Sequence, residues 1–243
     1  MVKPVARTFE KTVETLALDR LIQRGEWQDV AVITGLSVDS RETRPGHLFA
    51  ALPGTNVHGA EFADYARRMG AVAVLTDPEG ADWIAANLEN FALPLAIAED
   101  ARLALARTAA RWFDAQPEVM VAVTGTNGKT SVASFVRQIW DANGISAVSF
   151  GTVGVEGAVT AKLSHTTPEP ITLHRLLGQL SDENVSHAAM EASSHGLAQR
   201  RLDAVHLRAA AFTNISRDHL DYHVDFEDYF QAKAGLFTRV LPG

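Results

Sequence analysis

Apolar and polar positions along the chain follow two periods, and the switches between them mark out the elements. Residues 12–24 read as a short helix. Short apolar runs at 35–39 and 47–51 predict strands, separated by the turn residues Pro45 and Gly46. Residues 61–69 have helical spacing closed by Gly70, and a buried strand at 71–75, a helix at 81–90 and a strand at 93–98 follow. Asp100 is placed to cap a helix whose Leu103, Ala106, Ala110 and Phe113 share one face and which must end before Pro117. This first stretch predicts a small α/β unit.

From residue 119 the pattern becomes bolder. Val119 to Val123 is a continuous apolar run, as expected of a parallel strand covered on both faces. A glycine turn follows, then a helix from Lys129 with Val132, Phe135, Val136, Ile139 and Trp140 on one stripe, stopped at Asn143-Gly144. Further strands are expected at 187–190 and 207–212, and helices at 170–180 and 226–238. Strand, glycine turn, helix, strand is the grammar of a nucleotide-binding sheet. The fold class is therefore α/β, a small α/β domain followed by a parallel-sheet domain of P-loop type.

Composition narrows the function. The 243 residues, 47% hydrophobic and 21% charged, can bury a substantial core. A formal net charge of -7 repels a phosphate backbone and argues against a nucleic-acid partner, so an anionic ligand must be met locally. With no cysteine there is no disulfide framework, thiolate zinc site or cysteine nucleophile. No apolar run reaches the roughly 18 residues of a membrane span, and residues 1–10 lack an apolar signal core. A soluble, cytoplasmic protein is expected, with a monomer assumed.

The segment between the strong strand and its helix carries the clearest chemistry: Gly125, Thr126, Asn127, Gly128, Lys129, Thr130, Ser131. Glycines let successive N–H groups face phosphate oxygens, Lys129 neutralises β/γ-phosphates and the Thr130 hydroxyl can hold Mg²⁺. A standard P-loop has one more glycine where this chain has Val123, so the loop is a variant. Glu191 closes an apolar strand and should project from its carboxyl end, where it can reach the same metal or remain a surface carboxylate. Seven of nine histidines fall between His165 and His223, which suggests a polar site. His219 is a candidate second metal ligand or phosphate contact, whereas Asp221 and His223 fit a solvated charge run equally well. Lys233 falls on a stripe with Phe226, Phe230 and Phe237. It either snorkels out or is a partly buried amine of lowered pKa, able to take up CO₂ as a metal-binding carbamate. Thr166-Thr167-Pro168 suits a helix start or an anion site, and the polar loops at 39–41 and 54–59 suit a uracil, a diphosphate or ordinary turns.

In that order and spacing, Gly125–Thr130, Thr166–Pro168, Glu191-Ala-Ser-Ser-His-Gly196, Thr213–His223 and Ala232-Lys233 resemble the Mur ligase family, within it the MurE type that adds the third residue of the peptidoglycan stem. The resemblance covers about Val38 to Arg239, with Ala192, Ser131 and His165 as departures from the more usual residues.

The resemblance implies an ATP-dependent amide ligase acting on UDP-MurNAc-L-Ala-D-Glu and a diamino acid, meso-diaminopimelate or L-lysine, with ATP and Mg²⁺. It implies ATP binding by Gly125 to Ser131, and metal binding by Thr130, Glu191, His219 and Lys233 as a carbamate, with Lys129 catalytic beside the last three. Val38, Ser40, Thr55, Asn56 and Val57 would contact uridine; Thr166, Thr167, Ser193, Gln199 and Arg201 would hold the diphosphate and muramoyl part. Residues 1–99 would form the UDP-binding domain, 100–116 a connecting helix and linker, and 117–243 an incomplete central ATPase domain. The C-terminal ligase domain would be missing and the fragment alone inactive. A folate-adding ligase, an NTPase switch and a non-enzymatic UDP-sugar-binding module are the rival readings.

Overall fold

The computed structural model describes residues 10–241, and the stretch expected to lack a signal core lies largely outside them. The chain divides into two compact units, residues 1–112 and 113–243.

The first unit is built on a five-stranded sheet. Its strands are β1 (Ile22–Arg24), β2 (Gly35–Ser37), β3 (His47–Ala50), β4 (Ala73–Thr76) and β5 (Leu95–Ile97), in the order β1-β5-β4-β3-β2. All neighbours are parallel except β1, which runs against β5 through Gln23 opposite Ala96. Helix α1 (Ala63–Arg68) ends at Gly70, whose φ of 102° suits a residue without Cβ. Helix α2 (Pro78–Asn87) starts and ends earlier than the expected 81–90, because Pro78 opens the first turn and Asp77 accepts a hydrogen bond from the Gly80 N–H at 2.8 Å. Phe49, Val74, Ile84 and Ile97 anchor its core. The expected helix at 12–24 does not form; turns, a 3-10 turn at Leu18–Arg20 and β1 occupy it instead. The apolar residues there serve two ends: Val13, Leu16 and Leu18 are buried, whereas the β1 residues are exposed. Helix α3 (Ala101–Phe113) does start after Asp100, whose Oδ1 accepts from the Leu103 N–H. Its buried face is Ala101, Ala104, Leu105, Thr108 and Trp112, rotated from the expected one, so that only Ala106 of the four expected residues is buried. Small alanines on every side made that face ambiguous in sequence.

The second unit has β6 (Val119–Thr124), β7 (Ala147–Gly151), β8 (Gly154–Gly157), β9 (His187–Glu191) and β10 (Ala209–Phe212), ordered β10-β6-β9-β7-β8. The first four are mutually parallel and β8 is antiparallel to β7. Alternate residues of β6 and β9 serve opposite faces. Met120, Ala122, Ala188 and Met190 pack with Leu173, Leu177 and Leu180 of helix α5 (Pro170–Asp182), whereas Val121, Val123 and Ala189 pack under helix α4 (Lys129–Ala142). Burial on both sides is why these strands read as unbroken apolar runs. On α4 the stripe is only partly covered: Phe135 and Ile139 are 60% and 62% exposed. Helix α6 (Ser194–Ala198) follows β9, and helix α7 (Phe226–Gly235) runs into a π-helical turn at Leu236–Val240.

Candidate nucleotide and substrate site

Parallel strands end together, and the second unit brings Thr124, Gly151, Glu191 and Phe212 to one sheet edge as the last residues of β6, β7, β9 and β10. At such an edge the backbone leaves the sheet and side chains become available to ligands. The loop after β6 turns at Gly125 (φ 137°) and Gly128 (φ 84°), where a Cβ would be strained, and delivers Lys129 into the first turn of α4. The Lys129 ammonium folds back to donate to the carbonyls of Gly125 and Thr126, both at 3.0 Å. A second strap fixes the loop. Thr213 Oγ1 donates to Asn127 O at 2.7 Å, and the Asn127 N–H donates to Asn214 Oδ1 at 3.1 Å.

Lys233 reaches the same loop from α7. It is buried, its Nζ donates to Gly125 O at 2.8 Å, and it lies 4.7 Å from the centroid of the Tyr229 ring. Burial and then the nearby Lys129 charge push this amine down to about 8. The buried stripe of the helix is Tyr229, Lys233, Leu236 and Val240; the expected Phe226, Phe230 and Phe237 stay well exposed. Both stripes contain position 233, so the placement of Lys233 was legible although its neighbours were not. Tyr229 shares a hydrogen bond with Thr126 Oγ1 at 2.9 Å, a contact no spacing rule signals.

Glu191 is 2% exposed. Its carboxylate accepts from the Thr152 N–H at 2.8 Å and from Thr152 Oγ1 at 3.3 Å, and a Cβ on Gly151 would come within 2.1 Å of Oε1. Gly151 and Thr152 thus shape the carboxylate's seat, and their only trace in sequence is a glycine closing a strand. The residues expected to hold the diphosphate and muramoyl part form one connected network here. Thr166 Oγ1 meets Thr152 Oγ1 at 3.0 Å; the buried Thr167 hydroxyl donates to Glu191 O and accepts from the Ser193 N–H. Arg201 donates to Thr167 O at 2.5 Å and to Gln199 Oε1 at 2.7 Å, and Gln199 donates to the Tyr222 hydroxyl. Ser193 caps α6 through the Gly196 N–H.

Of the seven clustered histidines, three gather. His195 lies 4.8 Å from His219 and 5.8 Å from His223 between ring centroids, with Tyr222 at 4.0 Å, and burial first, then both histidines, lowers its pKa. His223 is buried and paired with Asp228 at 2.9 Å, so it is not part of a solvated charge run. The others lie elsewhere. His174 is a core residue that burial pushes to about 4, and His187, the first residue of β9, packs on Trp140 at the opposite end of the sheet. Among the described residues no three His, Asp or Glu side chains are disposed around a common metal position. Thr130 and Glu191 present the hard oxygen donors that a divalent cation such as Mg²⁺ takes. Lys233 as an ammonium repels a cation, and as a carbamate it would instead present an anionic oxygen ligand.

In the first unit a cavity of about 610 Å³ is lined by Val38, Asp39, Ser40, Arg41, Phe62 and Tyr65. Asp39 pairs with Arg41 at 2.6 Å, and hydrogen bonds from Arg41 hold its carboxyl below the usual range. Phe62 and Tyr65, about half exposed, add flat apolar walls that the helical pattern at 61–69 gave no reason to single out. Thr55, Asn56 and Val57 form an exposed turn and are not in this lining.

Two family descriptions match the chain: "Mur ligase family, catalytic domain" over residues 32–113 and "Mur ligase middle domain" over residues 123–243. A ligase from Mesorhizobium japonicum, named UDP-N-acetylmuramoyl-L-alanyl-D-glutamate--2,6-diaminopimelate ligase, is 51% identical over 211 residues, 86% of this chain and 42% of the relative. The protein of the same name from Brucella melitensis biotype 1 is 48% identical over 231 residues, 95% of this chain and 46% of the relative. A solved structure under that name superposes with a TM-score of 0.76 at 29% identity, covering 94% of this chain and 45% of the other. The fold is also that of MurF from Acinetobacter baumannii, at a TM-score of 0.60 and 18% identity. The chain spans less than half the length of the curated relatives it matches.

Proposed function

The chain belongs to the Mur ligase family, whose members use ATP, and on that premise we propose that it carries the UDP-precursor and ATP-phosphate sites of a ligase that extends the peptidoglycan stem peptide. The substrate read from its relatives is UDP-MurNAc-L-Ala-D-Glu, and the group added is a diamino acid, 2,6-diaminopimelate by the relatives' names. The carrying observation is that the Gly125–Lys129 loop, Glu191 and the Thr166–Arg201 network share one sheet edge.

The chemistry follows from what these residues can hold. ATP phosphates would lie on the loop N–H groups and the α4 N-terminus, with Lys129 exchanging its two loop carbonyls for phosphate oxygens. The carboxylate of the precursor attacks the γ-phosphorus, ADP leaves and an acyl phosphate forms; an amine then adds to the acyl carbon and expels inorganic phosphate. Positive charge from Lys129 offsets the negative charge that grows on the transferred phosphoryl group. Mg²⁺, when bound by Thr130 and Glu191, supplies further charge neutralisation at the phosphates. Lys233, with its lowered pKa, is suited to become a carbamate by adding its neutral amine to CO₂ with loss of one proton, and as that anion it would join His219 as a metal ligand. Arg201 and Gln199, locked against Thr167, would orient the diphosphate and muramoyl end, and the cavity of the first unit would take the uridine through Val38 and Ser40. The exposed 55–57 turn would close over the nucleotide. We assign residues 1–99 to UDP binding, 100–116 to the connection and 117–243 to ATP binding. A cytoplasmic location fits these substrates, and no helix among the described residues is long and apolar enough to cross a membrane.

The test separates the two ligands. Lys129→Ala should weaken ATP binding by at least about tenfold, the scale of one charge-assisted contact, and leave UDP-precursor binding unchanged in a calorimetric titration. Equal loss of both would contradict the role given to Lys129.

A further inference from the structure

The chain contains two Asn-Gly pairs, Asn127-Gly128 and Asn143-Gly144, and they sit at opposite ends of the same helix, α4. Asn-Gly is the dipeptide in which a backbone nitrogen most readily attacks the preceding side-chain amide, because glycine puts no Cβ in the way. The reaction needs three things: a side chain free to swing, an N–H free to lose its proton, and surroundings that favour the resulting anion.

The two pairs differ in all three. At the C-terminal end, Asn143 Nδ2 donates to Ile139 O at 2.7 Å, and the Gly144 N–H donates to Asp141 O at 2.9 Å. Both reacting groups are engaged, and the negative end of the helix dipole opposes deprotonation. At the N-terminal end, Asn127 is held only through its backbone, by Asn214 and Thr213. Among the described residues neither its side-chain amide nor the Gly128 N–H has a hydrogen-bond partner, both residues are exposed, and a Cβ on Gly128 would meet nothing nearer than 3.9 Å. The positive end of the dipole and the Lys129 and Lys233 amines, gathered on Gly125 O, favour a negative charge here.

We propose that Asn127 is a site of spontaneous deamidation built into the phosphate loop, and that bound nucleotide suppresses it. The Gly128 nitrogen loses its proton to hydroxide and bonds to Asn127 Cγ; the Cγ–N bond breaks, and ammonia leaves with a proton from water. The resulting succinimide takes up water at either carbonyl, giving aspartate or isoaspartate at position 127. A new carboxylate then stands where phosphates are to bind, and the isoaspartyl form also lengthens the backbone between Asn127, held by Asn214, and Gly128. Suppression by nucleotide rests on the ATP reading, because a phosphate oxygen on the Gly128 N–H removes the nucleophile; the deamidation itself does not depend on that reading.

The experiment incubates the chain in mildly alkaline buffer and follows the amide-to-acid mass change at each site by peptide mapping, with and without saturating ADP, in the folded state and in urea. The expected result is conversion at Asn127 severalfold faster than at Asn143 when folded, convergence of the two rates in urea, and slowing at Asn127 alone by ADP. Equal folded rates would overturn the proposal whatever the chain binds. Faster conversion at Asn127 that ADP does not slow would overturn the nucleotide protection and the phosphate-loop assignment together, leaving the deamidation chemistry in place.

Discussion

Replacing Lys233 by Met gives the sharpest energetic test, because the structure sets both the size and the pH window of the effect. The amine is buried against Gly125 O and beside Lys129, and its pKa falls from an ordinary 10.5 to about 8. Each tenfold change in proton affinity corresponds to about 1.4 kcal/mol, so keeping this amine charged in the folded chain costs about 3–4 kcal/mol. Below pH 8 it is protonated both folded and unfolded, and the cost is fully present. Between pH 8 and 10.5 the unfolded chain holds more proton than the folded one, so stability climbs with pH through that window. The variant loses the hydrogen bond to Gly125 O, about 1.5–3 kcal/mol for a charged donor, and the charging cost with it. At neutral pH the two chains should therefore be close in stability. As pH rises through the window in CO₂-free urea titrations, the parent chain should gain about 3–4 kcal/mol over Lys233→Met, other titrations cancelling in the difference. A difference that stays flat would refute the burial and coupling argued for Lys233. Added bicarbonate at neutral pH should stabilise the parent chain but not the variant, because a carbamate would pair with Lys129 instead of repelling it.

Further outcomes follow from other contacts. Thr167→Val keeps the shape but leaves the Ser193 N–H without its acceptor, so urea unfolding should show a loss of about 1–3 kcal/mol, with Thr167→Ser near the parent. Gly151→Ala places a Cβ 2.1 Å from Glu191 Oε1 and should cost about 1–3 kcal/mol by displacing the carboxylate from the Thr152 N–H, measurable in the same assay. Tyr65→Ala removes a wall of the first unit's cavity and should weaken binding of a uridine nucleotide by about 1–3 kcal/mol in titration calorimetry, with ATP binding unaffected.

Much of this was written in local pattern. Val119–Val123 announced a strand buried on both faces, the helix expected from residue 170 does open at Pro170, and Glu191 fell at a strand end because the apolar run Ala188, Ala189 and Met190 leads straight into it. Lys233 betrayed itself as a charge on an apolar stripe. Signals failed where one residue type serves two purposes. The alanines of α3 fit several faces, and the apolar residues of 12–24 divide between burial in turns and an edge strand. What sequence could not supply was contact between distant segments. Thr152 seats Glu191 from 39 residues away, Tyr229 reaches Thr126 across 103, and Phe62 and Tyr65 join Val38 and Ser40 only because a sheet brings their loops together. Clustering of histidines along the chain was likewise a poor guide, since His174 and His187 were claimed by the core and by Trp140.

The proposal that matters most is that the sheet edge of the second unit holds the muramoyl end of a UDP-linked Mur ligase precursor. The most direct measurement is calorimetric titration of the chain with UDP-N-acetylmuramoyl-L-alanyl-D-glutamate, using UDP-N-acetylglucosamine and the Arg201→Ala variant as controls. Selective binding of the muramoyl dipeptide that weakens in the variant is expected, because Arg201 is held in the Thr167–Gln199 network assigned to that ligand. Binding that fails to distinguish the two UDP-sugars, or that is unchanged in Arg201→Ala, would contradict it.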